Sequence, residues 1–358
     1  MKIEIDRLNK IVYLTKFNFS NIQLLNKAVN EMSANNVTDY NVCILERGES
    51  PASCFELYDK FKALLIQHNF NNKIYLATET QVDEYHSFIK DKFGWECVFL
   101  TSFYDYPRMY ENTYELNFGA SVHIHHWQLN YKIPIQKKIQ KHFLTLNRSY
   151  RNEAHWHRME LYSFMKEFNL LDKANASFRF IKEFDNNFDE PINHIDDINS
   201  NHNLYTQIDL KRLYETSFIT LLTESNFQST IKMRLLSADN THSDEYCEFP
   251  NDYLTEKTSR SLMLGMPFIL IGPPNSLKRL HSLGFKTFDS FIDESYDNEM
   301  DFQKRFDMIK AEINKIASLT IDEMESIYDT IYPTLLHNRN NIKNIQNDNA
   351  KKIQTLWN

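Results

Sequence analysis

The sequence predicts an α/β protein: two parallel-sheet domains in series, facing each other across a cleft and finished by C-terminal helices. Three observations predict it. Short β-rich apolar runs alternate with amphipathic helical stretches in both halves of the chain, the pattern of strands joined by right-handed crossovers. A length of 358 residues is long for one core and short for three. With 42% hydrophobic and 25% charged residues, the composition is that of a packed chain and excludes a disordered tail, a coiled coil or a collagen-like repeat.

The elements follow in order. Tyr40 to Leu45 is a short apolar strand, and Ala52 to His68 places Phe55, Leu57, Tyr58, Phe61, Leu64 and Leu65 at helical spacing. Lys73 to Ala77 is a second strand, Gln81 to Phe93 a helix and Trp95 to Leu100 a third strand. An aromatic stretch from Phe103 to Tyr131 leads to a linker around Pro134, which sets the expected domains at 1–133 and 134–330. Residues 331–358 are expected to form a helix that could pack back on the first domain. In the second half His142 to Leu146 reads as a strand, Glu153 to Phe168 as a helix and Ser177 to Ile181 as a strand. Glu183 to Asn203, acidic and rich in Asn, reads as a surface loop. Phe218 to Thr223 is a strand, Thr255 to Leu264 a helix and Phe268 to Ile271 a strand. Asn275 to Leu283 is a short helix stopped by Gly284, Phe285 to Phe288 is a last strand, and the chain is helical from Met300.

Several function classes are excluded by what is missing. The chain has only 6 Gly and neither a GxGxxG nor a GxxxxGK loop. A net charge of −8 argues against a cationic sleeve for nucleic acid, though it leaves room for a local basic face. The start, Met1 to Asp6, alternates charge and aliphatics where a signal peptide needs an apolar run. No stretch approaches the ~20 apolar residues of a membrane span, so a soluble, cytoplasmic protein is expected. Cys43, Cys54, Cys97 and Cys247 lie far apart without metal-type spacing and read as reduced thiols.

Two patterns carry chemistry. Thr255 can cap a helix whose first turn holds Glu256 and Lys257, beside the carboxyl end of a strand, where open parallel sheets bind ligands. There a carboxylate can accept two ribose hydroxyls, while a lysine and free helix N–H groups suit a diphosphate. The same residues also fit an ordinary capped helix with a surface ion pair. The second pattern is Lys132, Lys137, Lys138, Lys141, Arg148 and Arg151, with no acid between Lys132 and Glu153. Its first strand delivers Asn147, Arg148 and Arg151 to the same crevice, where guanidinium forks hold phosphate oxygens. A solvated basic face is the plain alternative.

The strand with Leu146-Asn147-Arg148, then Tyr253-x-Thr255-Glu256-Lys257, then Gly265 and Pro267 before a hydrophobic strand, resembles the nucleotide-sugar half of the alpha-1,3-fucosyltransferases. The longer wording, through Gly272-Pro273-Pro274-Asn275 to Leu283-Gly284-Phe285, is more similar still to glycosyltransferase-like proteins of bacteria and tailed phages. The resemblance covers about residues 142 to 290. It implies the GT-B fold, two Rossmann-like domains with the donor in the second. It also implies that Tyr253, Glu256, Lys257 and Arg148 grip a nucleoside diphosphate sugar, the co-substrate, with Arg151 beside them. No Asp-x-Asp occurs, so the diphosphate is expected to leave against Arg, Lys and helix dipoles with no metal and no cofactor.

The first half must then supply an acceptor pocket and a base. Glu46 and Asp105 each follow a predicted strand and are the candidate catalytic residues; either fits equally a loop carboxylate paired with Arg47 or Arg108. His123, His125 and His126 could suggest zinc, but no Cys or carboxylate of ligand spacing accompanies them. With Tyr104 and Trp127 they are expected to line an aromatic acceptor wall, a buried hydrophobic edge being the plain alternative. The expected function is sugar transfer from a nucleotide sugar to a hydroxymethylated pyrimidine in phage DNA, in the host cytoplasm, with Lys132 to Lys141 as the approach surface. A cell-surface glycan or lipid-linked saccharide is the alternative acceptor, and a non-catalytic nucleotide-sugar-binding protein the alternative of another class.

Overall fold

The structure is a computed structural model that describes residues 2–7, 10–15, 22–45, 55–70, 73–78, 83–99, 131–147, 155–178, 192–193, 207–225, 227–236, 242–250 and 254–355. The chain divides into two compact units. The first comprises Met1–Ser121, Thr230–Tyr253 and Ile345–Asn358, the second Val122–Ser229 and Leu254–Asn344.

The first unit is a five-stranded sheet in the order β1 (Lys2–Asp6), β2 (Ile11–Thr15), β3 (Asn41–Leu45), β4 (Ile74–Thr78), β5 (Glu96–Phe99). β1 runs antiparallel to β2, and β2 to β5 are parallel. Three helices make the crossovers: α1 (Ile22–Ala34), α2 (Phe55–Gln67) and α3 (Asp83–Phe93). Their apolar stripes converge on one core, where Leu25, Val29, Tyr58, Phe61, Tyr85 and Ile89 meet Val12, Leu14, Val42, Ile44 and Leu76 of the strands. Trp95 closes it, 1% exposed and packed on the rings of Tyr58 (4.8 Å) and Phe93 (5.4 Å). A hairpin that groups with this unit, β10 (Thr230–Leu236) and β11 (His242–Pro250), leaves the second half of the chain after Ser229 and returns at Leu254.

The second unit has a five-stranded sheet in the order β12 (Phe268–Ile271), β9 (Ser217–Thr223), β6 (Lys141–Asn147), β7 (Ala174–Phe178), β8 (Ile192–Asn193). The first four are parallel, and β8 pairs antiparallel with β7. All seven residues of β9 are buried, as a strand covered on both faces requires. On one side α5 (Gln207–Thr216) and α6 (Glu256–Met263) bring Leu213, Tyr214 and the turn residues Leu264 and Met266 to Leu144. α4 (Trp156–Glu167) stacks with α8 (Phe302–Ala317) through Trp156 and Phe306, ring centroids 5.5 Å apart. α7 (Ser276–Ser282) follows β12, and α9 (Ile321–Thr355) ends the chain.

Four expectations are corrected here. The strand placed at Ser177 to Ile181 lies earlier, at Ala174–Phe178, where small residues fill a fully buried strand. Phe285 to Phe288 is not a strand: side chains meet its backbone instead, since Lys286 N–H donates to Asn338 Oδ1 (2.8 Å) and Phe288 N–H to Glu294 Oε1 (2.7 Å). The Glu183 to Asn203 loop contains β8. Around Pro134 the chain is packed rather than loose, with Tyr131, Ile133, Lys137 and Ile139 buried. The Tyr328 and Tyr332 hydroxyls of α9 donate to the Pro134 and Ile133 carbonyls, at 2.9 and 3.3 Å. Gly265, at φ +62°, lies so close that a Cβ there would come within 2.5 Å of Ile133.

Candidate functional site

In the second sheet the chain steps from β6 to β7, then crosses back over β6 to β9 and on to β12. The direction of winding therefore reverses between β6 and β9, and their carboxyl ends form the topological switch point at which open α/β sheets take ligands. Those ends are Asn147 on β6 and Glu224, the first residue after β9. Asn147 turns inward instead of facing the crevice: its Oδ1 accepts from Thr223 Oγ1 and its Nδ2 donates to Thr145 Oγ1 (3.0 Å), so it ties the two strands together.

Glu224 is fully buried, yet its carboxylate is well supplied with donors. Oε1 accepts from Thr255 N–H at 3.1 Å and from the Thr258 hydroxyl, and Oε2 from the Thr255 hydroxyl. Its backbone is held as firmly. The N–H donates to Ile271 O (2.9 Å), and the carbonyl accepts from His157 Nε2 (3.0 Å) and Arg158 Nη2 (3.2 Å). Gly272 makes room, because a Cβ there would lie 3.3 Å from Glu224 Cγ and 2.7 Å from Leu270 Cδ2. His157 stacks on Phe227 at 5.4 Å, and the Arg305 guanidinium covers the Phe227 ring at 4.1 Å. Burial, and next the Arg158 charge, hold the His157 imidazole well below its ordinary pKa, so it is neutral and donates through Nε2.

Thr255 caps α6 as its sequence predicts, with extended backbone and Oγ1 accepting from Lys257 N–H at 3.3 Å. The Lys257 ammonium donates to Thr255 Oγ1 (3.0 Å) and Ser225 Oγ (3.1 Å), which brings it back to the start of its own helix. A positive charge, a helix start and a strand end thus coincide. The other helix start nearby is closed. Asp297 receives the Leu277 and Lys278 N–H groups of α7 at 3.0 and 3.1 Å, so this chain's own carboxylate fills that place. A pocket between α5 and α6 is lined by Leu146, Tyr214, Thr220, Lys257 and Arg260 and has about 40 Å³.

Of the residues singled out from the sequence, Lys257 stands at the switch point, and Glu256 opens α6 beside it. Tyr253, Arg148 and Arg151 lie outside the described residues, as do Glu46, Asp105, Tyr104, His123, His125, His126 and Trp127. Among the described residues no group of three His, Cys, Asp or Glu side chains could hold a metal ion, and no helix is long and apolar enough to cross a membrane. Lys137 is a correction. It is 6% exposed, with its ammonium 2.8 Å from Met266 Sδ and 5.4 Å above the Tyr328 ring, so it cannot meet a phosphate backbone. Lys141 donates to Asp172 O at 2.7 Å, while Lys132 and Lys138 are exposed.

Glu224, His157 and Arg158 are not among the residues that the sequence singles out. For Glu224 a signal existed: an acidic residue directly after an apolar strand, the same cue that singled out Glu46. No family model, curated protein or solved structure matches the chain.

Proposed function

We propose that the protein is a glycosyltransferase of the GT-B type, taking a sugar from a nucleoside diphosphate sugar held by its second unit. The observation that carries this is the position of Lys257: an ammonium at the first turn of α6, at the switch point of the parallel sheet, aimed by two hydroxyls. Support also comes from the motif Tyr253-x-Thr255-Glu256-Lys257, whose threonine caps the helix as the donor reading requires. In this reading Lys257 and the α6 N-terminus bear the charge that grows on the leaving diphosphate. Arg148 and Arg151 follow β6 in the chain and add guanidinium forks, Glu256 takes the ribose and Tyr253 the base or sugar edge. Glu46 or Asp105 accepts the proton of the attacking hydroxyl, and Tyr104, His123, His125 and Trp127 line the acceptor. The diphosphate departs without a metal.

The burial of Lys137 removes one support for a DNA acceptor, so we place a saccharide hydroxyl first and a hydroxymethylated pyrimidine second. The test is transfer of labelled sugar from a panel of nucleotide sugars, in excess chelator, to saccharides and to duplex DNA containing hydroxymethylcytosine. Transfer to a saccharide that is lost in Glu46→Gln or Asp105→Asn, with donor affinity kept, is the expected result. Tight donor binding without transfer or donor hydrolysis would make the chain a nucleotide-sugar-binding protein. No binding of any nucleoside diphosphate would end the proposal.

A further inference from the structure

We propose that Glu224 is a positioning residue of the donor site: through the Thr255 hydroxyl it holds the Lys257 ammonium where a diphosphate is gripped. This rests on the donor reading of the site. A threonine hydroxyl has one proton and two lone pairs. In Thr255 the proton goes to Glu224 Oε2, and the lone pairs receive Lys257 N–H at 3.3 Å and Lys257 Nζ at 3.0 Å. The hydroxyl is saturated, and its orientation is set by the one partner that takes its proton. Without a carboxylate at position 224 the hydroxyl turns to donate elsewhere, and its lone pairs no longer face the lysine.

Glu224 is suited to this role because it cannot move. Its second oxygen is engaged by Thr255 N–H and the Thr258 hydroxyl, and its backbone by Ile271, His157 and Arg158. Nor can it touch the donor, being fully buried. That resolves an otherwise awkward feature, a negative charge at the helix start where an anion is to bind. Exposed, the carboxylate would repel a diphosphate; behind the two threonines it only orients the group that attracts one. Asp297 shows the other use of a carboxylate at a helix start, where it takes the backbone N–H groups themselves.

The test uses the full chain with Glu224→Gln, Thr255→Val and Thr255→Ser. Two quantities are measured: the rate at which dilute acetic anhydride acetylates Lys257, with the exposed Lys278 as internal control, and calorimetric affinity for GDP, UDP and the matching nucleosides. Lys257 is expected to react several-fold faster in Glu224→Gln and Thr255→Val and at the parent rate in Thr255→Ser, with Lys278 unchanged throughout. Affinity for the diphosphate that binds should fall about tenfold in the first two variants and be kept in Thr255→Ser, while nucleoside affinity does not move. If Glu224→Gln does not fold, Thr255→Val against Thr255→Ser decides. An unchanged Lys257 rate in the folded variants overturns the inference whatever the ligands do. Faster labelling in a protein whose parent form binds neither diphosphate fails the donor reading instead, and reduces the clasp to a structural one.

Discussion

The two sheets are built by the same alternation of strand and helix, and they differ in two respects. In the first unit the strands follow in chain order, β1 to β5, so every crossover from β2 onward steps the same way and no switch point arises. In the second the order reverses at β6 and β9. The cores differ in kind as well. Among the described residues the buried polar and charged side chains, from Lys137 to Asn338, all belong to the second unit, while the first unit's core is aliphatic and aromatic. A buried polar group costs stability unless it is bonded, and Glu224, Asn147 and Asp297 of the second unit are each bonded. Among the described residues, a reversal of winding and a set of buried polar groups therefore occur together in the second unit and in neither form in the first.

The largest expected effect tests the scaffold. Trp95→Ala should cost about 3–5 kcal/mol by leaving a cavity beside Tyr58 and Phe93. Calorimetry should nevertheless find nucleoside diphosphate affinity within about twofold of the parent. A collapse of donor affinity in the folded variant would break the division of labour.

Next is Lys137, the second unit's buried ammonium. Burial pushes its pKa down to about 7, whereas the unfolded chain holds the proton up to its ordinary 10.5. Between those values the unfolded state binds more protons, so stability rises with pH through this window and the full cost of the buried charge is felt below it. Lys137→Met should therefore raise stability near neutral pH by about 2–4 kcal/mol and flatten that rise, which denaturant titrations from pH 7 to 10 would show. A destabilised variant would mean that the charge has a partner that matters.

Lys257→Met should weaken diphosphate binding about 10- to 100-fold, the value of a charge-assisted bond, with little change in melting temperature. The same substitution at Lys60 in α2 of the first unit should leave both the affinity and the melting temperature unchanged. Equal effects at the two positions would remove the distinction between the units. A further effect is expected at the turn after α6. Gly265→Ala should cost about 1–3 kcal/mol, because φ is positive and Ile133 stands in the way of the new methyl. A cost near zero would show that the Ile133 segment yields easily.

What the sequence determined by itself is what neighbours along the chain decide. β12 is Phe268–Ile271 as read, β9 differs by one residue, Thr255 caps α6, and Gly284 follows α7 at φ +80°. Each depends on backbone preference and apolar spacing over a few residues. The strand Ala174–Phe178 was harder to place, since Ala, Asn and Ser carry little strand preference and burial alone makes them a strand. Tertiary structure decided everything that joins distant residues. Thr255 meets Glu224 across 31 positions, and Lys137 meets Met266 across 129. Lysine 137 read as one more member of a basic run because its neighbours are basic, and it is buried because Met266 and Tyr328 close over it. The reversal of strand order belongs to the same class: crossover lengths permit either direction, and it is the pairing of β6 with β7 on one side and β9 on the other that fixes it. A switch point is therefore a property of the assembled sheet, which no local stretch of the chain contains.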